Sequence, residues 1–432
     1  MFKEKRRRES SLDQLEDVGK GTVAPSQPNR KQFGLLTLFA LAFTICNSWT
    51  SVAGTLELAL SEGGFPALIY GIIAATIIFL FIGASLAELS SVYPTAGGQY
   101  HYASILAPPG WEKGLSYTAG LVTVMSWWAT CASIAMIPSQ YIVAIASVHH
   151  PSYVAQRWQE WLIYEGFLVL GLIMVIFLLK KFSWLHLVCV GMTFSLFLVN
   201  FVCYLARSNP KASNETVWID YTNLTGWPDG ISFLTGLSSL CFMYCGLDAA
   251  THMAEECTAP KRTVPKIIMM TIAMGFIAGF GYAVAVAYVF PDPTTLFTAL
   301  GYLPVNVQIM GWNSVPMATG ITSVMVVMAV GILSAALETA CTLTWAFARD
   351  QGFVGSDILM TMHPTLQVPV WASVASFYVN PFVHETNADS SLDYACVILA
   401  VALLIALVNW WFHAKNHYGA PVHNMSAFLV ED

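Results

Sequence analysis

The chain has 432 residues, of which 56% are hydrophobic and only 10% charged, with a mean hydropathy of +0.60. These figures exclude a soluble enzyme and a singly anchored protein, and leave a polytopic membrane protein. The net charge of −7 says little, because such a chain sorts its charges by loop; the basic cluster Lys3 to Arg8 sits in a short polar tail and gives nucleic-acid binding no support.

In chain order, residues 1–31 read as a disordered, basic cytoplasmic tail without the apolar core and cleavage site of a signal peptide, so the first span doubles as the insertion signal. Apolar segments of about 20 residues, the length that crosses a bilayer, follow at about 34–61, 65–91, 114–147, 160–179, 183–206, 231–255, 266–290 and 316–347. A weaker run covers 368–383 and a last span 394–413. The expectation is an all-α fold of about ten transmembrane helices, with a transmembrane domain over 32–413 and a cytoplasmic tail over 414–432.

With both termini inside, all nineteen Lys and Arg except Arg157, Arg207 and Lys211 fall in inner segments, which satisfies the positive-inside rule. The same topology puts the sequons at Asn214 and Asn223 in the outer loop between spans five and six, while that at Asn424 stays cytoplasmic.

Two spans carry breaks. The first holds Asn47-Ser48-Trp49-Thr50-Ser51-Val52-Ala53-Gly54-Thr55, and the sixth holds Tyr244-Cys245-Gly246-Leu247-Asp248 ahead of Glu255-Glu256. Glycine followed by an acid near mid-depth is tolerated mainly where backbone lines a polar cavity. Close packing at Gly246 and capping or pairing by Asp248 stay open as the alternatives. Two broken segments, each opening a block of about five spans, point to a transporter built as an inverted repeat.

Between spans two and three, Pro94 and the pair Gly97-Gly98 end a helix and start a tight turn, and Tyr100 to Leu106 is amphipathic enough to lie against the inner mouth. After span eight, Arg349-Asp350 sits at the inner water boundary, where charge costs least. The nine cysteines lie almost wholly in apolar runs without metal-ligand spacing, and the ten histidines are scattered, with only His149-His150 adjacent. No metal, cofactor or catalytic residue is expected, and an integral-membrane enzyme is disfavoured.

The PTAGGQY loop, the GLDAATHMAEE run, the PKRTVPK link and the AFARDQG stretch together resemble the amino acid, polyamine and organocation transporter superfamily, most of all its fungal branch of GABA, choline and other amino-acid permeases. The resemblance covers about residues 33 to 370 and resumes around 385 to 420. It implies a leucine-transporter-like fold of twelve spans, the first ten forming two inverted five-helix repeats, here about 34–206 and from about 231. It places Thr50, Ser51, Gly54 and Thr55 at one break and Tyr244, Cys245, Gly246 and Asp248 at the other, as substrate-binding residues. A half-helix N-terminus there attracts a carboxylate and exposed carbonyls hold an ammonium. Trp127 and Trp128 either shape the pocket, clamp an alkyl or quaternary amine, or simply pack.

The chain departs from the family in two respects. Some relatives resemble proton-coupled systems with a basic residue in span five, whereas no Lys or Arg lies deep in Phe182 to Leu205; Asp248, Glu57 and Glu338 are the candidate proton carriers, with pairing or capping open for each. The chain also passes from Pro369–Val383, short for a crossing, into His384-Glu385-Thr386, so part of span nine and spans ten and eleven are expected to be missing and the second repeat truncated after about 383. The leading expectation is a secondary transporter for an amino acid or related small amine such as GABA or choline, in the plasma or vacuolar membrane, with protons as candidate coupling ion and lipid as its other partner. A non-transporting sensor or inactive remnant is the alternative.

Overall fold

The computed structural model describes residues 33–150, 152–153, 156–179, 182–207, 211–289, 314–366, 368–376, 404 and 407–419. Among these, eight helices are long and apolar enough to cross a membrane: Leu35–Gly54, Gly64–Val92, Glu112–His149, Arg157–Leu179, Leu185–Ala206, Asp229–His252, Pro260–Val289 and Val315–Arg349. They match the first eight expected spans. The only extended pairing among the described residues is a single bridge between Phe33 and Cys257. The expected tail 1–31, residues 377–383 of span nine, most of span ten, the junction after Val383 and residues 420–432 of the expected tail 414–432 lie outside the described residues.

Helices dominate because no water is present at membrane depth to satisfy a free backbone, so each apolar run closes its own hydrogen bonds. Span two packs along span seven, span three along span eight, and the short helix Gln99–Leu106 against span three. The sharpest breaks in the helical backbone fall in spans one and six. Span one stops at Cys46, and Asn47 takes a left-handed conformation, φ 30° and ψ 55°. Asparagine is among the few residues with a side chain that tolerate that region. Its N–H still donates to the Phe43 carbonyl at 2.8 Å, while its own carbonyl accepts from Thr50 and Ser51 at 2.9 and 3.1 Å and so starts a second half, Ser48–Gly54.

Span six is a helix only over Asp229–Leu240; a tighter turn, Cys241–Tyr244, then an extended Cys245 and Gly246 at φ +83° carry the chain into the short turn Ala249–His252. The two breaks touch. Ser48 Oγ donates to the Met243 carbonyl at 2.9 Å. Span seven comes so close that a Cβ on Gly275 would sit 2.6 Å from Ser48 Oγ. Phe33 N–H donates to the Glu256 carbonyl at 3.1 Å, fastening the start of span one to the end of span six.

Candidate functional site

A cleft lies between spans one, three, six and eight, walled by residues of both broken helices. Its polar wall is Asn47, Thr50, Ser51, Thr130 and Cys245, and its apolar wall includes Ile134, Phe242, Met325 and Met328. Among the described residues no acidic or basic side chain lines it. Most of its polar groups already have local partners: Thr50 Oγ1 donates to the Asn47 carbonyl, Ser51 Oγ to the Cys46 carbonyl, and Thr130 Oγ1 lies 3.3 Å from Cys245 Sγ. Asn47 differs. It is 1% exposed, and neither its Oδ1 nor its Nδ2 has a hydrogen-bond partner among the described residues. A buried amide left this way costs about 1–3 kcal/mol, so the cleft holds one donor and one acceptor ready for a ligand.

Of the residues expected to bind substrate, Thr50, Ser51 and Cys245 line this cleft, whereas Gly54, Thr55, Tyr244, Gly246 and Asp248 do not. Gly54 and Thr55 sit at a second, milder interruption of span one, where a Cβ on Gly54 would approach Ile137 at 3.1 Å. Tyr244 is locked between spans two and seven, its hydroxyl 2.9 Å from Thr76 Oγ1 and 3.4 Å from the Ile272 carbonyl. A Cβ on Gly246 would meet Ile45 at 2.5 Å and Trp127 at 3.2 Å.

Asp248 is the hub of a latch. Its Oδ2 accepts from Gln99 Nε2 at 2.5 Å and Trp127 Nε1 at 3.2 Å, and lies 3.1 Å from His252 Nε2. His252 turns its other nitrogen to the Ala96 carbonyl at 2.9 Å, so the ring bridges the carboxylate and the 93–106 segment. The 93–106 segment is therefore held against span six by the same carboxylate that the sequence marks as a break. Two further contacts extend the latch on the N-terminal face. Glu255 accepts a forked pair from Arg349, at 3.1 and 3.2 Å, and one bond from Ala96 N–H. Asp350 accepts from the Tyr100 hydroxyl at 2.8 Å and lies 3.1 Å from His101 Nε2. Burial alone would raise the Glu255 carboxyl, but the Arg349 guanidinium and the Ala96 amide hold it below its ordinary value. Burial, with Asp350 beside it, pushes the Tyr100 hydroxyl up.

Glu338 has a partner that sequence reasoning missed. His186, at the start of span five, places Nε2 3.1 Å from Glu338 Oε2, with both side chains nearly inaccessible. The pair borders a second cavity, which Glu338 lines with Glu256, Cys341, Thr342 and Trp345. Its only signal in the sequence is a histidine at the mouth of a span without deep Lys or Arg. Glu57 is exposed and lines neither cavity. Trp127 and Trp128 pack: the second donates to Thr344 and Ser376 at 3.2 and 3.0 Å. Among the described residues no group of three His, Cys, Asp or Glu is placed to hold a metal. Asn214 is exposed, and its Oδ1 accepts from Tyr288 Oη, whereas the amide nitrogen of Asn223 is engaged by the Trp227 carbonyl and Asp229 Oδ1.

A family model described as amino acid permease matches residues 33–430. The chain is 31% identical over 386 residues to a choline transporter of Saccharomyces cerevisiae, covering 87% of this chain and 68% of that protein. It is 28% identical over 340 residues to a putative amino acid/polyamine transporter of Macrophomina phaseolina, covering 78% and 75%. Among solved structures, a nucleobase-cation-symport-1 family transporter in a closed conformation with bromovinylhydantoin bound superposes with a TM-score of 0.52 at 13% identity, covering 90% of this chain and 81% of the other. That likeness fixes the fold as leucine-transporter-like.

Proposed function

The chain belongs to the amino acid permease family, and from that premise we propose that it is a secondary transporter that carries an amino acid or a related small amine, with GABA and choline as the leading candidates, by alternating access around the cleft at Asn47. The observation that carries this reading is the unpaired Asn47 amide at the wall of the cleft where the two broken helices meet. The cleft's chemistry favours a small substrate. It offers hydroxyls, one amide and helix-break backbone for a polar head, methionine and isoleucine for an apolar body, and the Phe242 and Tyr141 rings for an ammonium. A polycation finds no carboxylate there to meet its second charge.

The latch through Asp248, Glu255 and Asp350 closes the N-terminal face and opens when the cleft empties to that side. Coupling, in this reading, runs through His186–Glu338, the buried titratable pair that bridges spans five and eight, rather than through the exposed Glu57. Both termini face the cytoplasm, and Asn214 takes a glycan more readily than Asn223 because its amide nitrogen is not tied into the loop.

The test is uptake into vesicles reconstituted with the purified chain, using radiolabelled choline, GABA and a panel of amino acids. Accumulation of one of these above protein-free vesicles is expected; accumulation of none would overturn the reading. In His186→Phe, uptake should lose its dependence on an imposed proton gradient while substrate binding persists, and an unchanged gradient dependence would remove the pair from coupling.

A further inference from the structure

Behind the second half of span one lies a polar cluster that the cleft does not include. Trp49, from that half-helix, meets Tyr282 of span seven with ring centroids 5.6 Å apart, and Tyr282 meets Tyr204 of span five at 6.1 Å. Asn200 lies one helical turn before Tyr204 and so shares its face. All four are at most 1% exposed. Even so, Trp49 Nε1, both polar atoms of Asn200, and the hydroxyls of Tyr204 and Tyr282 have no hydrogen-bond partner among the described residues. The Tyr204 hydroxyl faces Asn200 and Tyr282 but reaches hydrogen-bond geometry with neither. Tyr141, which lines the main cleft, neighbours both tyrosines, so the cluster lies directly behind the cleft wall.

So many unpaired polar atoms in one buried place require a guest, since a bilayer protein has no bulk water to satisfy them. Chemistry identifies it. The indole N–H only donates, the amide donates and accepts, and each hydroxyl does both. A cation would face the indole and amide N–H groups with no carboxylate to hold it, and an anion would find no positive charge. A small neutral molecule that both donates and accepts fits, and a site with several polar partners is what ordered water occupies.

We propose that Trp49, Asn200, Tyr204 and Tyr282 form a side pocket that holds ordered water between span one and spans five and seven. The second half of span one then rests on a wet seam, where hydrogen bonds re-form as the half-helix shifts, in place of a dry interlocking one. This holds whether or not the cleft carries amines.

Radiolytic hydroxyl footprinting of the full chain in lipid nanodiscs tests it, because side chains beside bound water oxidise faster than their burial allows. Tyr164, fully buried, and Tyr221, 37% exposed, are internal standards. Tyr204 and Tyr282 should oxidise at rates nearer Tyr221 than Tyr164, and Asn200→Leu should slow both severalfold. Should Asn200→Leu fail to fold, Tyr282→Phe serves, read at Tyr204. Oxidation as slow as that of Tyr164, or rates that ignore both substitutions, would overturn the proposal.

Discussion

The two helix breaks are made differently and behave differently. In span six the polar groups that face protein are consumed: Tyr244 is bonded across spans two and seven, Asp248 meets three side chains, and Gly246 supplies a positive φ where a Cβ would strike Ile45. In span one the break is made by a residue with a side chain, Asn47, whose amide is buried and unspent. A satisfied buried network holds structure in place, whereas an unsatisfied group at a cavity wall keeps its energy for a ligand. Under the proposed function, the difference gives the latch to span six and recognition to span one.

Asn47→Leu separates the two most sharply. Removing a ligand hydrogen bond at a buried site costs about 1–3 kcal/mol, roughly tenfold to a hundredfold in affinity, so KM for uptake should rise by that factor. The melting temperature should hold or rise, because an unpaired buried amide has been replaced by an apolar group. A fall in stability with KM unchanged would reverse the assignment.

Gly246→Ala strikes the other break. A side chain at φ +83° that also meets Ile45 should cost about 1–3 kcal/mol of stability, read as a lower melting temperature and poorer yield. Asp248→Asn keeps the shape but weakens the charge-assisted bonds from Gln99, Trp127 and His252, at a cost of about 1–2 kcal/mol. Its signature should be a lowered melting temperature with substrate affinity close to wild type. A large rise in KM in this variant would move recognition to span six.

The smallest effect sharpens the latch on the N-terminal face. Glu255 has a folded value below the ordinary 4.5, so its contribution to stability is fully present above pH 4.5 and is lost as pH falls through the lower folded value. The melting temperature of the wild type should therefore drop on acidification below pH 4.5, and Glu255→Gln should flatten that drop. A parallel slope in both would place the acid sensitivity elsewhere.

How much of this was legible beforehand follows from the range of each signal. Spans show in local hydropathy, and both breaks show in short runs of small and polar residues, so the architecture and the pair of breaks could be read directly. The family was legible because several motifs occur in the same order. The division of labour between the breaks was not. Asp248 becomes a latch only through Gln99 and Trp127, more than a hundred residues away in the chain, and His186 finds Glu338 at a separation of 152. The sequence marks Asn47 to Thr55 as a broken stretch, and the left-handed turn falls at its first residue. An asparagine in an apolar run does not announce that conformation, and packing alone decides whether its amide meets a partner.

Cys245 offers the most direct measurement of the central claim, because it lines the same cleft as Asn47 and belongs to the break whose Tyr244 and Asp248 are engaged elsewhere. In a functional protein with Cys245 as the sole cysteine, the rate of modification by a small methanethiosulfonate reagent is measured with and without the solute that the vesicle assay identifies. The account predicts that this solute slows modification of Cys245 at the concentrations that half-saturate uptake, and that Asn47→Leu shifts the protection to higher concentrations by the same factor as KM. A modification rate indifferent to solute at concentrations that saturate uptake would contradict it.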